Sequence, residues 1–440
     1  MKPNDLLEAS LRQLKKLIPR NLFRYLQPSY HYFLAWLGAV IYRFPSRQIK
    51  VLTVTGTKGK TSTTEILTAM LQTAGFKVAS TSTLQFTLAG STKPNLYKMS
   101  MPGRMFLQRF LRQAVKIGCD YAVLESASEG VKLFRHKFIR LNGLVFTNLS
   151  PEHLESHGSY ENYLAAKLEY AKALAHSPKT DKIIVVNDDD QEATKFLALA
   201  PTARPLKFSL TDAEPYQIEQ DHLTLTWRGE TIKTPLVGRF NLYNLLAAAT
   251  MAEAQGVTAE TIKKTLTALP PIKGRLEKIV SGGPEQDFEV IVDYAHTVDS
   301  LAQAYEALGR RGLICVLGGT GGGRDRDKRS QMGAIADQRC KLIFITNEDP
   351  YDEDPEQIMN DVATGVRTKN YRLVADRRLA IRQAMEAAKT GDVVMITGKG
   401  TDPYIMGQDG KKTPWSDAVV AREEILKILT KRQNARTAGS

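Results

Sequence analysis

A glycine-rich segment, Thr53-Val-Thr-Gly-Thr-Lys-Gly-Lys-Thr-Ser62, follows the apolar run that starts at Ile49. The common nucleoside-triphosphate loop reads G-x-x-x-x-G-K-[ST], but here only two residues separate Gly56 from Gly59. Backbone N–H groups of such a turn, at the start of a helix, point at anionic oxygens, and the helix dipole adds to the attraction. The segment therefore predicts a phosphate-binding loop. The residues predicted to contact the nucleotide phosphates are Gly56, Thr57, Lys58, Gly59, Lys60, Thr61 and Ser62.

Two further side chains, His153 and Lys167, have types that could do chemistry. His153 lies in Phe146-Thr-Asn-Leu-Ser-Pro-Glu-His-Leu-Glu-Ser-His-Gly158. In the stretch that follows, helical spacing places Tyr163, Lys167 and Tyr170 on one face, so Lys167 projects where an apolar residue is expected. Taken alone, such a lysine is more often a snorkelling side chain, and such a histidine more often a hydrogen-bonded core residue. Either interpretation stays open from these residues alone.

The elements around the loop alternate short β-branched runs with amphipathic stretches, which predicts layered α/β structure. "KVLTVT" predicts a buried strand before the loop, and "TSTTEILTAMLQTAG" predicts a helix that stops at Gly75. The segment 268–277, with Pro-Pro and Gly, is typical of a linker, and a second α/β series follows it. We predict a short basic helical segment (1–48), a central P-loop-type ATPase domain with a mainly parallel sheet (49–272), a Rossmann-like C-terminal domain (273–430) and a tail (431–440).

The net charge of +13 is concentrated at the start of the chain, where residues 1–50 hold nine Lys and Arg against Asp5 and Glu8, which gives +7. The apolar part, Tyr32–Tyr42, is shorter than the roughly 20 residues that a bilayer crossing needs. Two interpretations remain: a helix that packs on the next domain, or a basic aromatic helix that lies on an anionic membrane surface. No nucleic-acid recognition motif accompanies the charge, so we predict no nucleic-acid partner.

Three cysteines, Cys119, Cys315 and Cys340, lie far apart in the sequence. Their spacing indicates neither a disulfide framework nor a zinc site. A reduced, cytoplasmic setting is therefore expected.

The loop, His153 and Lys167 belong to a longer series of ordered motifs. The series is GTKGKTSTT, LESASEG, FTNLSPEHLESHG, YLAAK, GRFNLYNLLAA, GRLE, DYAHTVDSL, GGTGGGRDRDKRSQMG, NEDPYDEDP and GKGTDPY. In this combination, over roughly residues 49–430, the chain resembles the Mur ligase family, ATP-dependent enzymes that extend the peptide of cell-wall precursors. It is most similar to the type that adds the third residue, the UDP-N-acetylmuramoyl-tripeptide synthetases. Ordered blocks of this number are far more specific than any single one.

The resemblance implies an amide ligase that works through an acyl phosphate and uses ATP with two Mg²⁺ ions. It implies that Thr61, Glu125, His153 and Lys167 hold the metals, and that CO₂ carbamylates Lys167 to a carboxylate-like group. It also implies that Asn241 reads the adenine, that Arg275 reaches the γ-phosphate, and that Asp293 and His296 contact the nucleotide. The implied catalytic residues are Lys60, His153, Lys167 and Arg275.

Three departures from the family pattern affect the substrates. Only 48 residues precede the first strand, so we expect the usual N-terminal UDP-binding domain to be lacking. Ser100-Met-Pro102 replaces Thr-Thr-Pro, and Glu125-Ser-Ala-Ser-Glu129 replaces Glu-Val-Ser-Ser-His, at positions that face the donor peptide. The predicted donor contacts that remain are Ser100, Ser128 and Arg135.

The acceptor motif is the third departure. Enzymes that add diaminopimelate read Asp-Asn-Pro-Arg, whereas this chain reads Glu348-Asp-Pro-Tyr351, and Thr401-Asp402 replaces His-Glu. Tyr351 cannot clamp a distal carboxylate as Arg does, so diaminopimelate is disfavoured. The acids Asp352–Asp354 would suit a distal ammonium, as in lysine, or would simply form a helix start. The predicted partners are a peptide-bearing cell-wall precursor and a free, basic amino acid, with acceptor contacts from Asp349, Tyr351, Thr401 and Asp402.

Other functions share part of this pattern. A Mur-like subunit that amidates a lipid-linked glutamate also lacks the UDP-binding domain, but it typically carries a cysteine-rich insertion. Folylpolyglutamate synthetase shares the loop and the modified lysine, but DYAHTVDSL and GGGRDRDKR favour the cell-wall type. A non-ligase P-loop NTPase would need no pairing of His153 with Lys167, and would hydrolyse ATP regardless of amino acid.

Overall fold

The computed structural model describes residues 20–103, 105–152, 154–281, 286–309, 312–323 and 326–438. By packing, the chain divides into two compact units. The first extends to Lys93 and resumes over Met99–Phe208. The second combines the short segment Pro94–Lys98 with the chain from Ser209 onward. His153, a predicted metal ligand, lies outside the described residues.

The first unit is built around one sheet. Its helices are α1 (Arg20–Ile41), α2 (Lys60–Thr73), α3 (Phe106–Ile117), α4 (Ser128–Lys132), α5 (Leu154–His157), α6 (Tyr160–Ala175) and α7 (Ala193–Leu199). Its strands are β1 (Lys50–Thr55), β2 (Val78–Thr81), β3 (Gln85–Leu88), β4 (Ser91–Pro94), β5 (Tyr121–Glu125), β6 (Gly143–Phe146), β7 (Ile183–Asn187) and β8 (Arg204–Phe208).

The strand order of this sheet is β4-β3-β2-β5-β1-β6-β7-β8, and all pairs from β2 to β8 are parallel. The strands β1, β5 and β6 are buried almost throughout because helices cover the sheet. Val54 lies opposite Glu125, and Thr55 lies opposite Phe146. The segments that follow these three strands therefore meet at one edge of the sheet.

The second unit contains the remaining elements. Its helices are α8 (Arg239–Ala254), α9 (Ala259–Thr267), α10 (Val298–Ala307), α11 (Arg326–Arg339), α12 (Pro355–Ala363), α13 (Arg377–Ala387) and α14 (Asp417–Ala438). Its strands are β9 (Gln217–Ile218), β10 (Leu223–Trp227), β11 (Glu230–Thr234), β12 (Glu277–Ile279), β13 (Glu289–Val292), β14 (Leu313–Leu317), β15 (Leu342–Ile345), β16 (Tyr371–Leu373), β17 (Val393–Ile396), β18 (Tyr404–Met406) and β19 (Lys412–Pro414).

The main sheet of this unit has the order β12-β13-β17-β14-β15-β16, parallel except for β12. On β14, Cys315 packs into the core on one side of the sheet and Ile314 into the core on the other. Both faces of the sheet are thus covered, as is usual for parallel strands whose sequences are continuous apolar runs. A β-hairpin is also present, since β10 pairs antiparallel with β11 across Arg228-Gly229, both with positive φ. The predicted α/β class with a helical N-terminal segment is confirmed.

The cysteine prediction is wrong for one pair. Cys315 on β14 and Cys340 form a disulfide with a Cα–Cα distance of 6.0 Å. Cys340 follows Cys315 by 25 positions, and the chain between them crosses over through α11 and returns beside β14, because β15 pairs with that strand. The strand topology brings the two cysteines together, which their spacing in the sequence does not reveal. The cysteines therefore no longer argue for a reduced setting.

The packing division at Phe208 differs from the predicted domain boundary near residue 272. Val237 and Phe240, near the start of α8, pack against the core that β14 and α10 form. Residues 209–272 therefore group with the second unit.

Candidate active site

The glycine loop connects β1 to α2 and is held by the segment that follows β6. The Thr57 N–H donates to the Asn148 carbonyl, and the Lys58 N–H donates to Asn148 Oδ1, both at 2.8 Å. Thr147 Oγ1 donates to the Lys58 carbonyl at 2.7 Å. These bonds fix the backbone of the loop at the start of α2.

Gly56 shows how tightly this loop is packed. Its φ is +153°, and a Cβ atom there would lie 1.9 Å from Thr147 Oγ1. Gly59 ends the loop at φ +78° and caps α2. Both glycines are therefore required by backbone conformation, and Gly56 also by close approach.

Polar groups with the chemistry of a metal–phosphate site lie at the start of α2. The Lys60 ammonium donates to the Thr57 carbonyl at 2.7 Å, and Thr61 Oγ1 donates to Glu125 Oε2 at 3.0 Å. Thr83 donates its N–H to Glu125 Oε2 and its hydroxyl to Oε1, at 2.7 and 2.8 Å. The structure therefore brings together three of the predicted residues, Lys60, Thr61 and Glu125.

Lys167 is fully buried on α6, at 1% exposure, and its ammonium donates to the Gly56 carbonyl at 2.6 Å. The ammonium also lies 4.8 Å from the centre of the Tyr163 ring. Burial, followed by the nearby charge of Lys60, lowers the pKa of Lys167 well below its usual value. The side chain is directed into the phosphate loop rather than snorkelling to solvent.

Oxygen donors at this site fit Mg²⁺, because the Thr61 hydroxyl and the Glu125 carboxylate are hard ligands that Mg²⁺ takes together with substrate phosphates. Within the described ranges, no three His, Cys, Asp or Glu side chains lie close enough to hold a metal ion by themselves. A Mg²⁺ that shares its coordination with phosphate oxygens does not need such a cluster.

The three predicted donor-binding residues of the first unit gather around one loop. Arg135 donates through Nη1 to the Met101 carbonyl, next to the buried Ser100. Ser128 starts α4, and its hydroxyl lies 3.1 Å from His157 Nε2. Tyr170 links these parts, since its hydroxyl donates to the Ala127 carbonyl at 2.8 Å and lies 3.2 Å from Met101 Sδ.

The second unit holds the other predicted nucleotide residues at two places. Asn241, at the start of α8, donates to the Val237 carbonyl and accepts from Asn244. Asp293, directly after β13, accepts from the N–H groups of Leu276 and Ala295, both at 2.7 Å.

Arg275 and His296 both lie against the ring of Tyr294. The guanidinium carbon of Arg275 is 4.5 Å from the ring centre, and His296 packs edge to face at 4.7 Å. The structure therefore places the GRLE and DYAH motifs side by side in this unit.

Next to Tyr294 lies a cluster of four charged side chains. Lys399, fully buried after β17, donates to Asp349 Oδ1 at 2.8 Å and to Asp402 Oδ2 at 3.3 Å. Lys98 reaches Asp349 Oδ2 at 2.7 Å and Asp402 Oδ2 at 2.9 Å. Burial raises the pKa of Asp349, but Lys399 and Lys98 outweigh it, and the net pKa is lowered. We call Asp349 and Asp402 the carboxylate pair.

The acids after Tyr351 serve the fold of the second unit. Asp354 caps α12 by accepting from the Glu356 N–H at 3.0 Å, so the helix-start interpretation holds for this residue. Glu353 pairs with Arg329 at 2.9 Å, and Asp352 accepts from the Asp409 N–H. The carboxylate pair, rather than this run, is the acidic feature beside Thr401 and Lys399.

Four residues that support the site were not predicted: Thr83, Thr147, Asn148 and Lys98. Thr147 and Asn148 stand in the FTN motif directly after a buried strand, which was a usable signal, because segments at the ends of parallel strands meet at one edge. Thr83 and Lys98 carry no such local signal.

Family comparisons agree with this geometry. The family model described as "Mur ligase middle domain" matches residues 54–252, and the model described as "Mur ligase, glutamate ligase domain" matches residues 274–400. A UDP-N-acetylmuramoyl-L-alanyl-D-glutamate–2,6-diaminopimelate ligase of Syntrophomonas wolfei is 36% identical over 408 residues, covering 89% of this chain and 81% of the relative. This chain belongs to the Mur ligase family. The predicted ligase class is confirmed with it, and Mur ligases are ATP-dependent and use Mg²⁺.

Further relatives support the same assignment. A UDP-N-acetylmuramyl-tripeptide synthetase of Roseiflexus sp. is 34% identical and covers 91% of this Mur ligase and 83% of the relative. A solved diaminopimelate-adding ligase is 29% identical, with a TM-score of 0.59 over 86% of this chain and 78% of that one. The folylpolyglutamate synthase of Mycobacterium tuberculosis has a TM-score of 0.71 over 95% of this chain and 98% of that one at 17% identity, which shows a shared fold only.

Replacing Gly56 tests the packing of the loop. Because the new Cβ would collide with Thr147 Oγ1, we expect Gly56→Ala to lower the free energy of unfolding by about 3 kcal/mol and to abolish ATP binding. Gly90→Ala is the matched control, since Gly90 also has positive φ but has open space around it. Its expected cost is about 1 kcal/mol with unchanged ATP affinity. Calorimetric ATP titration and urea unfolding measure both effects, and equal ATP affinity in the two variants would contradict the proposed loop.

Proposed function

We propose that this Mur ligase joins the amine of a free amino acid to a carboxylate of a peptide-bearing cell-wall precursor, using ATP and releasing ADP and phosphate. The observation that carries the proposal is Lys167, a buried amine with a lowered pKa that contacts the Gly56 carbonyl of the phosphate loop. An NTPase that only switches between conformations has no use for a buried amine at this point.

The proposed reaction has two steps. A donor carboxylate oxygen attacks the γ-phosphorus of ATP, and the bond from that phosphorus to the bridging oxygen breaks, which releases ADP and leaves an acyl phosphate. The neutral acceptor amine then attacks the acyl carbon. Loss of phosphate, with the carboxylate oxygen still attached, completes the amide, and the amine proton passes to solvent.

The residues of this chain would act mainly by position and charge. The loop backbone and Lys60 would hold the phosphates, and Thr61 with Glu125 would hold Mg²⁺, which supplies positive charge to the phosphate oxygens. Arg275 would add a further cation at the γ-phosphate. Ser100, Ser128 and Arg135 would hold the donor, which the contact of Arg135 with the Met101 carbonyl, next to Ser100, supports.

We propose that Lys167 works as its carbamate. A lowered pKa increases the neutral fraction of the amine, and only the neutral amine can attack CO₂. Formation of the N–C bond, with loss of one proton, converts the neutral amine into an anion next to Lys60 and Lys58. The carbamate would then be a metal ligand, together with Glu125 and His153.

We propose a basic acceptor amino acid such as lysine. The carboxylate pair supports this because its oxygens already hold two lysine ammonium groups at 2.7–3.3 Å. The relatives named as diaminopimelate ligases act on an acceptor with a distal carboxylate, for which Tyr351 offers no charged partner.

We also propose the domain boundary near residue 272, which the gap between the two family matches, 252–274, supports.

We propose that α1 makes peripheral contact with an anionic membrane surface, while the reaction takes place in the cytoplasm, where ATP is available. One face of α1 packs within the first unit through Ala35 and Ala39. The other face leaves Phe33, Trp36 and Ile41 between 43% and 53% exposed. None of the described helices combines the length and apolarity that a bilayer crossing requires.

The acceptor dependence of phosphate release tests the proposed reaction. We expect release that needs both a muramoyl-peptide donor, UDP-linked or lipid-linked, and an amino acid, with L-lysine more effective than diaminopimelate. The measurement is a coupled phosphate assay over a panel of amino acids. Release at the same rate without any amino acid would instead favour a non-ligase NTPase.

Replacing the buried lysine tests its role. We expect Lys167→Ala to lower the turnover rate by about a hundredfold, because a charged group at the phosphates is lost. Added formate or acetate should restore part of the rate by replacing the carbamate. Lys172→Ala is the control on the same helix, since Lys172 is 47% exposed in its side chain, and it should keep full activity. Unchanged activity of Lys167→Ala would refute the assignment.

Vesicle co-sedimentation tests the membrane contact. We expect the full chain to bind anionic vesicles in preference to neutral ones, and Phe33→Ser/Trp36→Ser to weaken binding about tenfold, because two aromatic side chains no longer enter the interface. A chain without residues 1–48 should bind least. The exposed Val419 on α14 supplies the control Val419→Ser, and equal binding by all variants would exclude the contact.

A further inference from the structure

Lys98 lies at the end of a short connecting segment, Pro94–Lys98. The segment Pro94–Lys98 packs with the second unit, although the residues on either side of it belong to the first. At its end, the Lys98 ammonium bridges the carboxylate pair, 2.7 Å from Asp349 Oδ2 and 2.9 Å from Asp402 Oδ2. This ammonium therefore lies where the proposed function requires a substrate group.

The two lysines of the cluster differ in how firmly they are held. Lys399 is fully buried and belongs to the segment directly after β17. Lys98 keeps 17% of its side chain exposed, and its backbone has φ +54°, a strained conformation for a residue with a side chain. Of the two ammonium groups, Lys98 is the one that can leave without disturbing the sheet.

The carboxylate pair stays in position without Lys98. Asp349 Oδ1 accepts from Lys399 and from the Met406 N–H, at 2.8 and 2.7 Å. Asp402 is held by its own N–H, which donates to the Lys399 carbonyl at 2.7 Å. The two Oδ2 atoms that receive Lys98 would thus face an entering ligand with their geometry already set.

Charge balance favours the replacement of one ammonium group by another. Two carboxylates and two ammonium groups balance, and this balance is kept only if the ligand that displaces Lys98 brings its own ammonium. Burial opposes the charge on Lys98, but Asp402 and Asp349 outweigh it and raise its pKa, so Lys98 is a charged competitor throughout the physiological pH range.

We propose that Lys98 is an internal stand-in for the distal ammonium of a basic acceptor amino acid, and that this acceptor binds by displacing Lys98 from the carboxylate pair. The proposal rests on the proposed ligase function and names the group of this chain that sets its acceptor selectivity. An acceptor with a neutral or anionic side chain cannot replace the lost ion pairs and leaves Lys98 in place. The apparent affinity for a basic acceptor is lowered by the fraction of molecules in which Lys98 occupies the pair.

Binding of L-lysine to Lys98 variants tests the proposal. The probe is L-lysine, titrated calorimetrically into the full chain with Mg²⁺, a non-hydrolysable ATP analogue and the donor. We expect Lys98→Met to bind L-lysine about tenfold more tightly than the unmodified chain, since the competitor is removed. L-Alanine should show no such gain.

The controls separate charge from structure. Lys98→Arg keeps a cation and should bind L-lysine like the unmodified chain. Lys93→Met removes an exposed lysine a few residues earlier and should change nothing. If Lys98→Met does not fold, Lys98→Gln carries the same expectation.

Three outcomes would overturn the proposal: L-lysine affinity that does not rise in Lys98→Met, an equal rise for L-alanine, or no L-lysine binding by any variant. Failure of the proposed function is a different result, namely phosphate release that is independent of every amino acid. The two failures are thus read from separate measurements.

Discussion

The hydrogen bond from the Lys167 ammonium to the Gly56 carbonyl is the interaction on which the rest of the site depends. A fully buried amine must be neutral or be compensated, because an isolated buried charge is costly. Here the compensation comes from a loop carbonyl and a tyrosine ring rather than from an ion pair at hydrogen-bonding distance. The arrangement ties α6 to the end of β1 and keeps a buried amine beside the glycine loop.

The other residues of the first unit's site lie at the same edge of the sheet. Strands β1, β5 and β6 are parallel neighbours, so the loop, Glu125 and Thr147 meet where these strands end. The loop has little freedom, because Asn148 holds it through both backbone and side chain. A loop positioned in advance loses less entropy when it binds phosphate, which is how a short glycine turn can serve as a rigid cradle.

The second unit handles charge in the opposite way. Its cluster pairs two lysines, Lys98 and Lys399, with the two acids of the carboxylate pair at 2.7–3.3 Å. Such a cluster discriminates between ligands by their charge, because a ligand that displaces a lysine must supply the positive charge that the lysine provided. The first unit thus holds a buried lysine without a carboxylate partner at hydrogen-bonding distance, and the second holds lysines that are each paired with carboxylates.

Local patterns made much of this predictable. The strand–loop–helix around Gly56 and the hairpin at Arg228-Gly229 follow from hydrophobic period and glycine position, which short segments carry by themselves. The lysine at 167 was identified because it breaks the apolar face of a helix. Lys98 could not be predicted, since its partners lie more than two hundred residues away in sequence and only the packing of a short connecting segment brings them together. The disulfide of Cys315 was missed for a similar reason, because a crossover connection closes the distance.

The proposed reaction transfers the γ-phosphate of ATP to a donor carboxylate before the amide forms. Its most direct test labels that carboxylate with the heavy isotope of oxygen and follows the label by mass spectrometry of the released phosphate. Transfer through an acyl phosphate predicts phosphate that carries an oxygen atom from the donor, formed in step with the amide. Phosphate without the label, with its new oxygen taken from water, would contradict the account.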